Sequence, residues 1–316
     1  MRNTNPLICV VGPTACGKTT LGVLLAKRYD GEVVSCDSMQ LYRGMTIGTA
    51  APTAAETDGV AHHMVGVVDP AQAYSAARYA ADAARCVDDI FTRGKQPIVV
   101  GGTGLYLDAL LAGHGFAAGQ SGGETRARLE ARLASEGADA LLDELRRVDT
   151  ERAKKLAPND RKRIVRALEV FYETGRTQTE HDRATRAVPP RYGAVKLGLA
   201  FEERDDMRAL IDRRVDDMVA QGLFDEVRAL LDAGVPRDAT ALQAIGYKES
   251  LAYLDGSASR EDAVAEIKLR SRQYAKRQLT WLRRDPDVHW HLWKKTRDFQ
   301  AALSFSTEIL SQYGVS

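Results

Sequence analysis

The sequence predicts an α/β protein, a parallel sheet with flanking helices that is interrupted by a helical insertion. Three observations lead there. From residue 7 to about 110, short apolar runs rich in β-branched residues alternate with longer segments of helical period, and strands separated by helices pair in parallel. A glycine-rich turn joins the first apolar run to the first helical segment. A charged, helical stretch without a convincing strand then precedes another apolar run at 194–199.

In chain order, Leu7-Ile8-Cys9-Val10-Val11 reads as a buried strand, 18–29 as a helix, 32–35 as a strand, 73–93 as a helix and 97–100 as a strand. An apolar helix with Leu105, Leu107, Leu110 and Leu111 follows. Gly, Ala and Ser dominate 114–123, as in a linker. The stretch 124–174 is helical, with a break at Pro158-Asn159-Asp160 that starts a new helix at Arg161. Pro189-Pro190 closes it, and 194–199 rejoins the sheet as a strand. Met207, Leu210, Ile211, Val215, Met218 and Val219 recur at three-and-four spacing, one amphipathic helix, and Gly234 and Pro236 stop the next. The C-terminal third therefore reads as helical. Residues 1–112 and 194–316 are expected to form a core with C-terminal helices, and 113–193 a helical insertion.

With 316 residues, 44% hydrophobic and 28% charged, neither a disordered chain nor a fibre is compatible with the composition. Lys and Arg number 44 against 43 Asp and Glu, so a uniformly basic protein is excluded. The neutral total hides a local bias. Lys268, Arg270, Arg272, Lys276, Arg277, Arg283 and Arg284 fall in one segment without an acidic residue, around Tyr274 and Trp281. A basic helix with aromatics suits nucleic-acid phosphates and bases; a solvated or ion-paired helix is the alternative. Cys9, Cys16, Cys36 and Cys86 form no C-x-x-C pair, as expected of free thiols in a reducing compartment. The first apolar run, 7–11, is too short for a signal sequence or membrane span, so a cytoplasmic protein without a membrane partner is expected.

Gly12-Pro13-Thr14-Ala15-Cys16-Gly17-Lys18-Thr19 fits G-x-x-x-x-G-K-[ST] between a strand and a helix. Such a turn converges backbone N–H groups on phosphate oxygens; Lys18 adds a point charge and Thr19 a hydroxyl for Mg²⁺. The expected fold is thus a P-loop NTPase-like sheet. Cys16 reads as a small spacer in a tight turn. Asp37 ends the second strand beside this cradle, and three uses compete for it: Mg²⁺ through water, general base, or capping the next segment. Gly101-Gly102-Thr103-Gly104 makes a second glycine-rich turn on the same sheet edge, with Thr103 placed to hydrogen-bond a reacting group.

These motifs resemble the bacterial tRNA dimethylallyltransferases, or tRNA isopentenyltransferases, the IPP transferase family. The resemblance rests on the P-loop, Asp37-Ser38-Met39-Gln40-Leu41-Tyr42, Gly48-Thr49-Ala50, His62-His63, Asp69-Pro70, Gly101-Gly102-Thr103-Gly104-Leu105-Tyr106, Asn159-Asp160, Thr174-Gly175, Gly246-Tyr247 and Gln278-Leu279-Thr280-Trp281-Leu282, in family order over nearly the whole chain. It implies transfer of a dimethylallyl group from dimethylallyl diphosphate to N6 of adenosine 37 of tRNA, next to the anticodon. By the family pattern residues 12–19 hold the diphosphate, Arg214 joins that clamp, and Asp37 acts as base on the N6 amine. The tRNA anticodon stem-loop is implied to meet Asp37, Ser38, Met39, Gln40 and Thr103, then Arg126 and Lys162-Arg163-Ile164-Val165-Arg166 in the insertion. Gln243-Ala244-Ile245-Gly246-Tyr247-Lys248 adds a further turn. Mg²⁺ is the implied cofactor and a monomer the expected state. Ala51 stands where family members usually carry Lys, and 119–123 replaces a Pro- and Asp-containing family segment. Two rivals are a P-loop small-molecule kinase and a non-catalytic, nucleotide-controlled RNA-binding module.

Overall fold

The structure, a computed structural model, describes residues 5–112 and 123–315. Most of the expected linker at 114–123 lies outside the described residues. Six strands form one sheet: β1 Leu7–Val11, β2 Gly31–Cys36, β3 His62–His63, β4 Gln96–Gly101, β5 Ala194–Phe201 and β6 Val288–Trp293. Their order is β3-β2-β4-β1-β5-β6, and every pairing is parallel.

The helices are α1 Lys18–Arg28, α2 Ala54–Thr57, α3 Ala76–Thr92, α4 Gly104–Ala112, α5 Glu124–Val148, α6 Thr150–Ala153, α7 Arg161–Thr174, α8 Gln178–Arg186, α9 Arg204–Ala220, α10 Leu223–Asp232, α11 Tyr247–Leu254, α12 Arg260–Leu282 and α13 Phe299–Gln312. Two expectations need correction. The C-terminal third is not all helical, because Val288-His289-Trp290-His291-Leu292-Trp293 forms β6 beside β5. Its aromatic and β-branched content suits a strand, but the interleaved histidines disguised the apolar run. The expected helix over 73–93 starts later, at Ala76, because the Ser75 hydroxyl accepts from the Arg78 N–H and fixes the first turn.

Alternation along β1 shows how the sheet is buried. Leu7, Cys9 and Val11 enter one apolar cluster while Ile8 and Val10 enter another, as a strand covered on both faces requires. Two compact units result, one comprising residues up to Leu111 and from Tyr192 onward, the other Ala112–Arg191. The second has its own core of Leu129, Leu141, Leu142, Leu145, Ile164, Val165 and Leu168. Gly137 (φ 85°) breaks α5 within that unit. Among the described residues, no helix is long and apolar enough to cross a membrane.

Candidate functional site

Parallel pairing brings three loops to one edge of the sheet. The turn after β1 carries the P-loop, that after β2 carries Asp37, and that after β4 carries Thr103; β4 lies between β1 and β2. Neighbouring strands are about 4.8 Å apart, so the three loops face one another across roughly 10 Å. They border a cleft of about 950 Å³.

The P-loop has no room for side chains at its glycines. A Cβ on Gly12 would lie 2.3 Å from the Leu199 carbonyl oxygen, and Gly17 adopts φ 86° with the Phe299 ring against it. Gly17 is the N-cap of α1, and no side chain caps that terminus. Ser75, Thr177, Ser259 and Asp298 cap α3, α8, α12 and α13, whereas α5, α7, α9 and α10 share the lack of a side-chain cap; what sets α1 apart is the cleft its terminus faces. The uncapped N–H groups and the helix dipole suit an anion. Lys18 Nζ donates to Pro13 O at 2.7 Å, and the buried Cys16 thiol contacts the same oxygen. Burial pushes that thiol up, which fits a small spacer in the turn.

Asp37 serves its own loop and the cleft. Its Oδ1 accepts from the N–H groups of Met39 (2.8 Å) and Gln40 (3.3 Å), while Oδ2 has no protein partner among the described residues, and Asp37 lines the cleft. Thr103 Oγ1 accepts from the Ser38 N–H at 3.2 Å, so it braces the Asp37 loop and is not among the cleft-lining residues. Ser38, Met39 and Gln40 line the cleft. The Gln40 amide is fully engaged, accepting from the Ser35 hydroxyl and donating to Thr49 O and Ala50 O. Its side chain holds the Gly48–Ala51 turn in place of reading a base.

Five cations border the cleft, Lys18, Arg213, Arg214, Arg277 and Arg297, against the carboxylates Asp37, Glu56 and Asp217. Among the described residues none of the five has a carboxylate within 4.0 Å. Burial pulls the Arg214 pKa down and the nearby Asp37 charge opposes that shift. Burial first, and then Asp37, push the Tyr274 phenol up to about 12, so it stands in the cleft as a neutral donor.

Other expected contacts are redirected by packing. Gln243, Ala244, Ile245 and Gly246 line the cleft, but Tyr247 is fully buried and donates to Glu226. Its side chain therefore does not face RNA, whereas Lys248 is exposed. In the second unit Ile164 and Val165 are core, with 0% and 1% exposure, so only Lys162 and Arg163 of that run are exposed charges, and Arg163 makes a surface pair with Asp160 at 3.4 Å. Arg166 and Arg126 both reach the buried Glu169, at 2.7 and 3.5 Å. The basic segment at 268–284 is also partly neutralised. Lys268 pairs with Asp216, Arg270 with Glu266 and Arg272 with Asp212, because α12 packs beside α9 and begins upstream with acidic residues.

Two residues shape the site in ways that their own stretch of sequence does not reveal, although Gln278 lies within a motif of the resemblance. Gln278 Oε1 accepts from the Thr14 N–H at 2.9 Å, and its Nε2 donates to Gly102 O at 3.0 Å, tying the P-loop to the second glycine turn. A Cβ on Gly102 would lie 2.2 Å from that Nε2, so this glycine is needed for the approach. Glu226 accepts from the N–H groups of Thr46, Ile47 and Gly48 and from the Thr46 hydroxyl, which fixes the cleft's outer loop. Both side chains act from far along the sequence.

Comparison with known proteins agrees with this geometry. A tRNA dimethylallyltransferase of Halalkalibacterium halodurans is 47% identical over 286 residues, 90% of each chain. The crystal structure of a full-length tRNA isopentenylpyrophosphate transferase from Bacillus halodurans is similar with a TM-score of 0.72 and 40% identity, covering 98% of both chains. A eukaryotic dimethylallyltransferase, solved acting on tRNA, gives a TM-score of 0.81 at 29% identity, covering 98% of this chain and 80% of its own. The profile of the IPP transferase family matches residues 40–285, and with those relatives it establishes that the chain belongs to the IPP transferase family.

Proposed function

We propose that this protein transfers a dimethylallyl group from dimethylallyl diphosphate to N6 of adenosine 37 in tRNA, next to the anticodon, giving N6-(dimethylallyl)adenosine. One observation carries the reading: Asp37, with an oxygen that has no protein partner among the described residues, lines the same cleft as a P-loop helix without a side-chain cap and five cations without a carboxylate partner among those residues. Nucleophile activation and leaving-group binding are then served from adjacent strand ends.

In this mechanism N6 attacks the allylic carbon, the carbon–oxygen bond to diphosphate breaks, and the diphosphate departs with the bonding electrons. The N6 proton passes to the Asp37 carboxylate. Lys18, Arg214 and the α1 N–H groups hold the charge that accumulates on the leaving group. The target base is stacked in the anticodon loop and must be extruded, which costs a few kcal/mol; Ser38, Met39 and the turn at Gln243–Gly246 border the space that receives it. Exposed Lys162 and Arg163 supply phosphate contacts in the second unit, where Arg126 and Arg166 instead secure Glu169.

Thr19 fits an Mg²⁺ role. It lines the cleft beside Lys18, and among the described residues its hydroxyl makes no protein hydrogen bond. Mg²⁺ prefers phosphate oxygens and water with few protein ligands, and when bound it neutralises charge on the diphosphate. The proposal includes a single chain acting in the cytoplasm.

Incubating the protein with Mg²⁺, labelled dimethylallyl diphosphate and unmodified tRNA, followed by mass spectrometry of the nucleosides, tests the reading. Label on N6 of the adenosine beside the anticodon is expected. No transfer, with ATP-dependent phosphorylation of a small acceptor, would sink it in favour of a kinase.

A further inference from the structure

The C-terminal segment forms a wall of the P-loop. Trp293, at the end of β6, donates its indole N–H to Cys16 O at 2.9 Å, and the Phe299 ring, at the start of α13, rests on Gly17. Between them runs Lys294-Lys295-Thr296-Arg297-Asp298, a turn with three cations whose one carboxylate caps α13. Arg297 bends back into the cleft. Its Nη1 reaches Ala15 O at 3.4 Å, and its Cδ passes 3.4 Å from the point where a Gly17 Cβ would stand.

That hydrogen bond is longer than the usual 2.7–3.2 Å range, so it holds the guanidinium only weakly. No carboxylate pairs with Arg297 among the described residues, and its charge adds to the downward shift of Arg214 that burial begins. Two like-charged guanidiniums therefore face the same space from α9 and from the β6–α13 turn. An anion between them would relieve the repulsion and gain charge-assisted hydrogen bonds from both.

We propose that Arg297 is a further diphosphate ligand, reaching the P-loop cleft from the turn between β6 and α13 while Arg214 reaches it from α9. The inference rests on the diphosphate reading given above and extends it to residues beyond 285, where the family match ends. It makes the C-terminal turn part of the leaving-group site. Arg297 then binds ground state and product alike, so its loss raises KM for dimethylallyl diphosphate more than it lowers kcat.

The experiment is calorimetric titration of Mg²⁺ and inorganic pyrophosphate into the parent chain, Arg297→Ala and Arg297→Lys, with thermal melting of each as a folding control. Arg297→Ala is expected to weaken pyrophosphate binding roughly 10-fold, Arg297→Lys to recover part of it, and the affinity for tRNA to stay unchanged. An unchanged pyrophosphate affinity in Arg297→Ala would overturn the inference and leave the arginine a support for the loop. A lowered melting temperature with unchanged affinity would overturn it equally. Failure of the parent chain itself to bind pyrophosphate would remove the diphosphate reading, and this inference with it.

Discussion

The two ends of β2 carry carboxylates in opposite circumstances. Glu32, near the start, is 6% exposed and encircled by Arg93 (2.7 Å to Oε2), His63 (2.7 Å) and Lys95 (3.7 Å). Asp37, just past the end, has no cation within 4.0 Å among the described residues, although Arg214 is close enough to feel its charge. One carboxylate is locked in a network and the other is left with an oxygen to use. A charge closed off by hydrogen-bonded partners contributes to stability, whereas a charge held by backbone N–H groups on one oxygen alone remains available for chemistry.

The difference can be broken first at Asp37. Asp37→Ala is expected to lower kcat about 10³-fold, within the range for loss of a general base, while tRNA affinity changes less than about 3-fold. Single-turnover transfer and filter binding measure the two. Undiminished transfer would reassign Asp37 to shaping its loop.

The Glu32 end should respond in stability instead. The Arg93 hydrogen bonds, with His63 behind them, hold the Glu32 carboxyl down at about 2, below an ordinary glutamate near 4.3. A lowered folded pKa stabilises above the unfolded value, and the contribution disappears as pH falls from about 4.3 toward 2; its size is roughly 3 kcal/mol. Glu32→Gln should therefore lower the urea midpoint at pH 7 while kcat of the folded enzyme stays within about 2-fold. Parent and variant should converge as pH falls through that window. Stability curves that stay parallel down to pH 2 would show that Glu32 is not linked to the proton.

Smaller effects separate free from paired cations on α12. Arg277→Ala should reduce the slope of log affinity for tRNA against log salt by about 1, and Lys268→Ala, whose partner is Asp216, should leave it unchanged. Equal slopes in the two variants would mean that the ion pair opens on binding.

The catalytic edge was legible because its signals are local. A strand, a glycine turn, Lys18 and Thr19 are consecutive, and the Asp37 and Thr103 turns each follow a recognisable apolar run, so parallel pairing alone had to gather them. The strand β6 was missed because its histidines broke the hydrophobic pattern, and β3 because two residues make no pattern at all.

What the sequence alone determined is the kind of fold and the chemistry of its edge, since both follow from short-range order: strand-turn-helix units and the residues directly after each strand. Tertiary structure decided which charges are free. Asp212 and Asp216 neutralise Arg272 and Lys268 across two helices, Glu169 engages Arg126 from 43 residues away, and Gln278 closes on Thr14 from 264 residues away. A charge's composition is written in the chain, but its partner depends on which surfaces pack together. Arg213 and Arg297 became candidates for phosphate only when packing left them, like Arg214 and Arg277, without carboxylate partners among the described residues at the edge where Lys18 already stood.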